Sequence, residues 1–246
     1  MFHCFTDNIS DTTVTVTGPD VRHIRNVLRM KEGDDFFVSD GNGRNVICCI
    51  SSLSEEAVIA DIISENAGMS ELPVDITLYQ GLPKADKMEL IIQKCVELGV
   101  HRIVPVEMSR CIVKLDAKNA LKKQERWQKI AESASKQSQR GIIPEVEAVM
   151  KYSEALKASE RLDMRVVPYE LSSDTSALKT LLSGCGGLRS VGIFIGPEGG
   201  FEASEIEEAV SCGVIPVTLG RRILRTETAG MALISGIMLG IEAGRT

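Results

Sequence analysis

The feature that most constrains the fold is a change of sequence pattern near residue 72. Before it, short β-branched or apolar runs alternate with turn residues, which is typical of a small β-barrel or sandwich. After it, strands alternate with amphipathic helices, which predicts a mostly parallel sheet covered on both faces. The predicted fold class is α/β with a small β-rich unit, in two domains over residues 1–72 and 73–246.

The first domain is predicted to contain strands over residues 13–17, 36–39, 46–51 and 57–63. One helix is predicted over residues 21–30, with an apolar side formed by Val21, Ile24 and Leu28. Its other side is basic and consists of Arg22, Arg25 and Arg29.

In the second domain, strands are predicted over 76–80, 102–106, 145–149, 164–167, 191–195 and 215–219. Helices are predicted over 87–98, 119–136, 153–158, 174–182, 204–211 and 228–243. The last helix is rich in small residues and has few charges, which indicates burial against another helix or another subunit. In an isolated chain we expect it to expose a stripe of Met231, Ile234 and Met238.

Composition and the first residues of the sequence argue against a membrane protein, a secreted protein and a metal-binding protein. No apolar run among the 246 residues reaches the roughly 18 residues of a membrane helix, and the start lacks the basic and apolar regions of a signal peptide. We therefore expect a cytoplasmic chain without membrane contact. Seven cysteines without a Cys-x-x-Cys pair, and three separated histidines, predict reduced thiols and no metal site.

Charge is distributed unevenly along the chain. The net charge is −6, yet residues 73–140 carry 13 basic and 8 acidic side chains. Such a segment either contacts phosphates or forms a solvated helix face, and counts alone leave both interpretations open.

A glycine-rich turn, Gly196-Pro-Glu-Gly-Gly200, follows a buried strand and precedes a helix. Ser204 and Glu207 are predicted to form the capping box of that helix. The turn is neither a P-loop nor a dinucleotide fingerprint. It is a tight connection or a ligand loop, and three glycines with a proline in five positions favour the ligand loop.

A second cluster, at residues 219–229, follows the next strand and contains Arg221, Arg222 and Arg225. Arginines at the carboxyl end of a sheet can hold an anionic substrate. The alternative is a charged rim in which Arg225 pairs with Glu227.

These motifs carry a family resemblance. Gly196–Gly200, Leu219-Gly220, Arg222-Ile-Leu-Arg225 and Glu227-Thr-Ala229 resemble the cofactor-binding end of SPOUT methyltransferases, specifically the 16S ribosomal RNA uridine N3-methyltransferases. Segments 23–29, 84–99, 109–111 and 137–140 also resemble that family, so the likeness spans nearly the whole chain. Lys136 is a departure, because relatives often have an acidic residue there.

The resemblance implies a PUA-like RNA-binding β-barrel and a C-terminal SPOUT domain with a deep trefoil knot. It further implies a homodimer that uses S-adenosylmethionine to methylate N3 of a uridine in 16S ribosomal RNA of the small ribosomal subunit. Two alternatives remain at this stage. One is a SPOUT methyltransferase for another base or ribose of ribosomal or transfer RNA, and the other is a non-catalytic ribosome-associated RNA-binding protein.

The resemblance and the chemistry together name the expected site residues. Cofactor contacts are expected from Leu171, Ile195, Gly196, Pro197, Glu198, Gly199, Gly200, Leu219, Gly220, Ile223, Leu224, Thr228 and Ala229. Methyl transfer to an imide nitrogen requires proton removal and stabilisation of the resulting anion, for which the candidates are Arg110, Arg225 and Glu227. RNA contacts are expected from Arg22, His23, Arg25, Arg29, Lys84, Lys87 and Lys94.

Overall fold

The computed structural model describes residues 1–65, 70–170 and 175–244. It contains two compact units. The first comprises Met1–Glu71 together with Ser135–Ile143, and the second comprises Leu72–Ala134 and Pro144–Thr246.

The first unit is built on a five-stranded sheet in the order β1-β3-β4-β5-β2. Its strands are β1 His3–Phe5, β2 Thr13–Thr17, β3 Asp35–Ser39, β4 Asn45–Leu53 and β5 Ala57–Glu65. Apart from the parallel pair β1 and β3, neighbouring strands are antiparallel. The four predicted strands are confirmed to within two residues at either end, and β1 was missed because three residues are too few to show a period.

The predicted helix over residues 21–30 is only partly correct. Helix α1 covers Pro19–Arg22 and continues as a π-helical segment over His23–Val27. The wider π turn changes the phase of the side chains, so Leu28 is 41% exposed instead of lying in the core with Ile24. Arg29 lies beyond the segment with a φ of 55°, so the single basic helix face predicted for the three arginines does not form.

Within the first unit, Ser135–Ile143 contacts Glu71 through a buried ion pair. The side chain of Arg140 is 3% exposed, and its Nη2 lies 2.6 Å from Oε2 of Glu71, while Oε1 of the same carboxylate accepts the backbone N–H of Gly141. Gly141 has no space for a side chain, because a Cβ there would collide with Asn45. The sequence prediction placed this segment in 73–246, since a charge pair between distant residues leaves no periodic signal.

The second unit has a parallel sheet in the order β12-β10-β11-β6-β7-β8, and β9 also pairs with β7. Its strands are β6 Asp75–Gly81, β7 Arg102–Glu107, β8 Glu145–Val146, β9 Met150–Lys151, β10 Met164–Pro168, β11 Ser190–Ile195 and β12 Ile215–Val217. Its helices are α2 Lys87–Glu97, α3 Ala117–Gln137, α4 Tyr152–Ser159, α5 Ser176–Leu182, α6 Ala203–Ser211 and α7 Thr226–Ala243. The predicted mostly parallel α/β sheet is confirmed, and the knot stays a prediction.

Helix α7 packs against α2 and α5 of the same chain. Its small residues explain the close approach, because a Cβ on Gly236 would lie 2.6 Å from the side chain of Leu182, and one on Gly240 would collide with the Leu182 carbonyl. Ile234 is fully buried within the chain, so the predicted exposed stripe is wrong at its centre. Within the described residues, no helix has the length and apolarity needed to cross a membrane.

Candidate active site

A cleft of about 600 Å³ lies at the carboxyl ends of β10, β11 and β12, beside the start of α7. The two motifs singled out in the sequence, 196–200 and 219–225, form much of its wall. This is the edge at which open parallel sheets bind ligands, and the volume is that of a small-molecule site.

The glycine-rich turn packs backbone against backbone. Gly200 has a φ of 67°, a left-handed conformation that favours glycine, and its N–H donates to the carbonyl of Pro197. A Cβ on Gly196 would lie 3.1 Å from the carbonyl carbon of Gly200. At the end of β6, a Cβ on Gly81 would lie 2.7 Å from the Pro197 ring. The turn therefore places its backbone groups close to any ligand bound in the cleft.

A buried hydrogen-bond chain joins three segments of the cleft wall. Gln80 is fully buried at the end of β6, and its Nε2 donates to Oγ1 of Thr226 at 2.9 Å. The Thr226 hydroxyl in turn donates to the carbonyl of Gly196 at 2.6 Å. The chain therefore fixes the first residue of α7 against the glycine-rich turn.

The predicted capping box at Ser204 and Glu207 is wrong. Helix α6 begins one residue earlier, and the backbone N–H of Glu202 donates to Oε2 of Glu205 at 2.9 Å. The other oxygen of the buried Glu205 carboxylate accepts the N–H of Ser109 at 2.8 Å. That contact holds the neighbouring Arg110 at the cleft.

Arg110 reaches the glycine-rich turn directly. Its Nη1 donates to the carbonyl of Gly199 at 2.9 Å, and the residue lines the cleft. A Cβ on Gly199 would lie 3.0 Å from the Cβ of Arg110, so a side chain at this position would crowd the contact.

Lys87, in the first turn of α2, forms an ionic cluster at the cleft wall. Its Nζ lies 3.1 Å from Oε1 of Glu198 and 3.3 Å from Oε2 of Glu227. The hydrogen bond to Glu198, aided by Glu227 against partial desolvation, raises the pKa of Lys87 above its ordinary value. The Glu198 carboxylate is also desolvated, but N–H donation by its own backbone and by Lys84, together with Lys87, lowers its pKa.

The arginine-rich loop is open to solvent. Arg221, Arg222 and Arg225 line the cleft and are exposed. The side chain of Arg225 is 80% exposed and its Nη1 is 4.0 Å from Glu227, a longer contact than the one from Lys87. The cation nearest to Glu227 is therefore Lys87, and not Arg225.

Comparisons with known proteins agree with this architecture. Residues 70–238 match the RNA methyltransferase domain family, and residues 16–63 match the RNA methyltransferase PUA domain family. The chain is 40% identical, over 94% of its length and 91% of the relative's, to ribosomal RNA small subunit methyltransferase E of Bacillus subtilis. The chain belongs to the ribosomal RNA small subunit methyltransferase E family.

Solved structures of methyltransferases are similar over the same extent. A Neisseria gonorrhoeae ribosomal RNA small subunit methyltransferase E bound to S-adenosyl methionine is 35% identical with a TM-score of 0.79, and each chain is covered to 96%. A Legionella pneumophila methyltransferase in complex with the same cofactor is 28% identical with a TM-score of 0.82, again with 96% coverage of both chains.

Most residues predicted for the cofactor site of this methyltransferase E chain meet at the cleft. Those lining it are Ile195, Gly196, Pro197, Glu198, Gly199, Gly200, Leu219, Gly220, Ile223, Leu224 and Ala229. Thr228 is exposed and does not line it, and Leu171 lies outside the described residues. Of the three residues predicted to take part in methyl transfer, Arg110 and Arg225 line the cleft. Glu227 does not line it and contacts Lys87 instead.

The residues predicted to contact RNA lie in both units. In the first, Arg22, His23 and Arg29 are exposed, and Arg25 lies 4.0 Å from Glu55. In the second, Lys84 is exposed, Lys87 belongs to the ionic cluster, and Lys94 pairs with Glu97 at 2.8 Å.

Sequence reasoning missed Gln80, Glu205 and Thr226. Gln80 did leave a signal, since a lone amide at the end of an apolar strand requires a buried partner. Among the residues that the structure describes, no group of three or more histidine, cysteine, aspartate or glutamate side chains is arranged to hold a metal ion.

Proposed function

We propose that this protein transfers a methyl group from S-adenosylmethionine to N3 of a uridine in 16S ribosomal RNA. The observation that carries the proposal is the cleft itself, formed by the glycine-rich turn and the 219–225 loop in a chain of the methyltransferase E family. Both similar structures from Neisseria and Legionella contain this cofactor.

The residues present fit the cofactor. Backbone groups of Gly196–Gly200 and the loop from Leu219 to Leu224 would hold it, because the absent side chains allow close approach, and Ile195, Ile223 and Leu224 add apolar surface to a cleft that also contains charged side chains. When bound, S-adenosylmethionine supplies a methyl carbon on a positively charged sulfur, which leaves with the electrons of the broken bond. The Gln80 and Thr226 hydrogen bonds keep the turn and α7 in register around it.

In the reaction, the protein's own residues must stabilise the negative charge that develops on the uracil imide when its N3 proton leaves. The N3 proton must leave before the nitrogen can bond to carbon, and the anion that results needs nearby cations. Arg110 and Arg225 are at the cleft for that purpose, while Glu227 orients a cation rather than facing the cleft.

The first unit is proposed to dock the RNA. It matches the PUA domain family of RNA methyltransferases and carries the exposed Arg22, His23 and Arg29. Partners are therefore 16S ribosomal RNA or the small ribosomal subunit, and the enzyme acts in the cytoplasm, where the subunits are. We also propose a homodimer and a trefoil-knotted second unit, both implied by the resemblance. Light scattering at micromolar concentration tests the dimer, and a monomeric mass would contradict it.

Two measurements test the function. S-adenosylhomocysteine at 100 times its Kd should stabilise the native protein by about 2.7 kcal/mol, seen as a raised Tm. Mass analysis of digested small-subunit RNA from a strain lacking the gene should then show loss of one N3-methyluridine, restored by the wild-type gene.

Other results identify the alternatives. Loss of a different methylated nucleotide would reveal a methyltransferase with another target. Absence of both cofactor binding and any lost modification would leave a non-catalytic RNA-binding protein.

A further inference from the structure

Lys87 was predicted to contact RNA phosphate, but its surroundings suit a different ligand. The ammonium lies at the cleft wall between Glu198 and Glu227, at 3.1 Å and 3.3 Å. An ammonium has three N–H donors, and one contact to each carboxylate uses at most two of them. At least one donor is therefore available to a molecule in the cleft, which Lys87 lines.

The charge balance argues against a phosphate ligand. Two carboxylates within 3.3 Å offset the single positive charge of Lys87, whereas the exposed Arg221 and Arg222 of the same cleft are better placed to hold a fully charged anion. A neutral oxygen that gains negative charge only during the reaction needs a hydrogen-bond donor more than it needs an unpaired cation. Such an oxygen benefits from the ammonium when the charge develops.

We propose that Lys87 is a catalytic residue that donates its third N–H to a carbonyl oxygen of the target uracil, an inference that rests on the proposed function. The N3 proton leaves for a water molecule, and the electron pair of the broken N–H bond stays on the uracil. The charge spreads from N3 to the adjacent carbonyl oxygens, where the ammonium stabilises it. The same electron pair then forms the new bond between N3 and the methyl carbon.

The two carboxylates hold this donor in place. Glu198 belongs to the glycine-rich turn and Glu227 to the first turn of α7, so the ammonium is fixed to both walls of the cleft. The raised pKa of Lys87 agrees with a group that stays protonated at neutral pH and acts as a donor.

The test compares turnover of Lys87→Ala, Lys87→Gln and Lys87→Arg with wild type, at saturating RNA and S-adenosylmethionine, from neutral to alkaline pH. Loss of one donor to a developing oxyanion should lower kcat of the Ala and Gln variants about 100-fold at neutral pH. The deficit should shrink as pH rises, because uridine N3 ionises there without help. Arg should restore most of the rate. If the Lys87→Ala variant fails to fold, the Lys87→Gln variant provides the test, because its side-chain amide can still donate hydrogen bonds to the carboxylates.

Two binding measurements accompany the turnover assay. S-adenosylhomocysteine affinity and the salt dependence of RNA binding should both match wild type in Lys87→Gln. Lys157→Ala, which removes an exposed lysine from α4, is the matched control for loss of a positive charge and should behave as wild type throughout.

Three results would overturn the proposal. A shallower salt slope with unchanged kcat makes Lys87 a phosphate contact, and weaker S-adenosylhomocysteine binding makes it a cofactor contact. A rate deficit that stays constant with pH makes it a structural residue. Wild-type formation of N3-methyluridine on the same RNA tests the proposed function by itself, and only the ratio of variant to wild type tests Lys87.

Discussion

At the scale of single residues, Gly199 decides whether the glycine-rich turn and Arg110 can meet. Its Cβ position lies 3.0 Å from the Cβ of Arg110 and 3.6 Å from the Arg110 carbonyl. A β-branched side chain would push Arg110 away and break its hydrogen bond to the Gly199 carbonyl. We expect Gly199→Val to weaken S-adenosylmethionine affinity at least about tenfold, or about 1.4 kcal/mol, by titration calorimetry, with little change in Tm.

The control is another glycine near the sheet. Gly230 lies in α7, and a Cβ there would meet Leu78 and Ile195 at ordinary contact distances of 3.5 and 3.6 Å. Gly230→Ala should therefore retain wild-type affinity. Equal affinities of Gly199→Val and wild type would remove the turn from the cofactor site.

At the scale of elements, the register between α7 and the glycine-rich turn depends on one hydroxyl. Thr226→Val keeps the shape of the side chain but removes the donor to Gly196, and it deprives the buried Gln80 amide of an acceptor. An unsatisfied buried polar group costs about 1–3 kcal/mol, so Tm should fall and S-adenosylhomocysteine should bind more weakly. Thr226→Ser, which retains the hydroxyl, should stay close to wild type in both measurements. Similar losses in the two variants would show that the methyl group, not the hydrogen bond, is what matters.

The elements themselves were largely predictable, and the failures have physical causes. Hydrophobic period identifies α2, which buries one side, and a continuous apolar run identifies β11, which is buried on both faces. It misplaces the helix after Pro19, because a π turn changes the angle between successive residues and nothing in composition marks that change. It also leaves the partner of α7 open, since Gly236 and Gly240 fit close packing against any neighbour, and here that neighbour is α5.

The same reasoning explains how well the site was predicted. The glycines at 196–200 predict a ligand site formed by backbone groups, because their conformational freedom is a local property that can be recognised in the sequence. The pairing of Lys87 with Glu198 and Glu227 joins residues more than 100 positions apart, which a single sequence does not show. Lys87 was therefore grouped with Lys84 and Lys94 as a phosphate contact on charge alone.

At the scale of the whole molecule, the two units carry different parts of the proposed function. The described residues that line the cleft all belong to the second unit, and the first unit carries the exposed Arg22 and Arg29. Deleting the first unit is a poor test of this division, because a chain that begins at Pro73 would leave the buried Arg140 without Glu71. Ser135–Ile143 belongs to the first unit, so loss of activity in that chain would also reflect the loss of the contacts that hold this segment. Surface substitutions in the full chain avoid the problem.

The triple change of Arg22, Arg25 and Arg29 to Ala tests the docking role directly. If all three contact phosphates, RNA affinity should fall and the slope of log K against log salt should flatten by up to about three contacts, while S-adenosylhomocysteine affinity is retained. Arg44→Ala is the matched control, because Arg44 belongs to the same unit but already pairs with Glu65 at 2.9 Å. A solvated surface would change neither quantity by a measurable amount. Wild-type RNA affinity and salt slope in the triple variant would rule out these arginines and transfer the docking role to the basic segment 73–140.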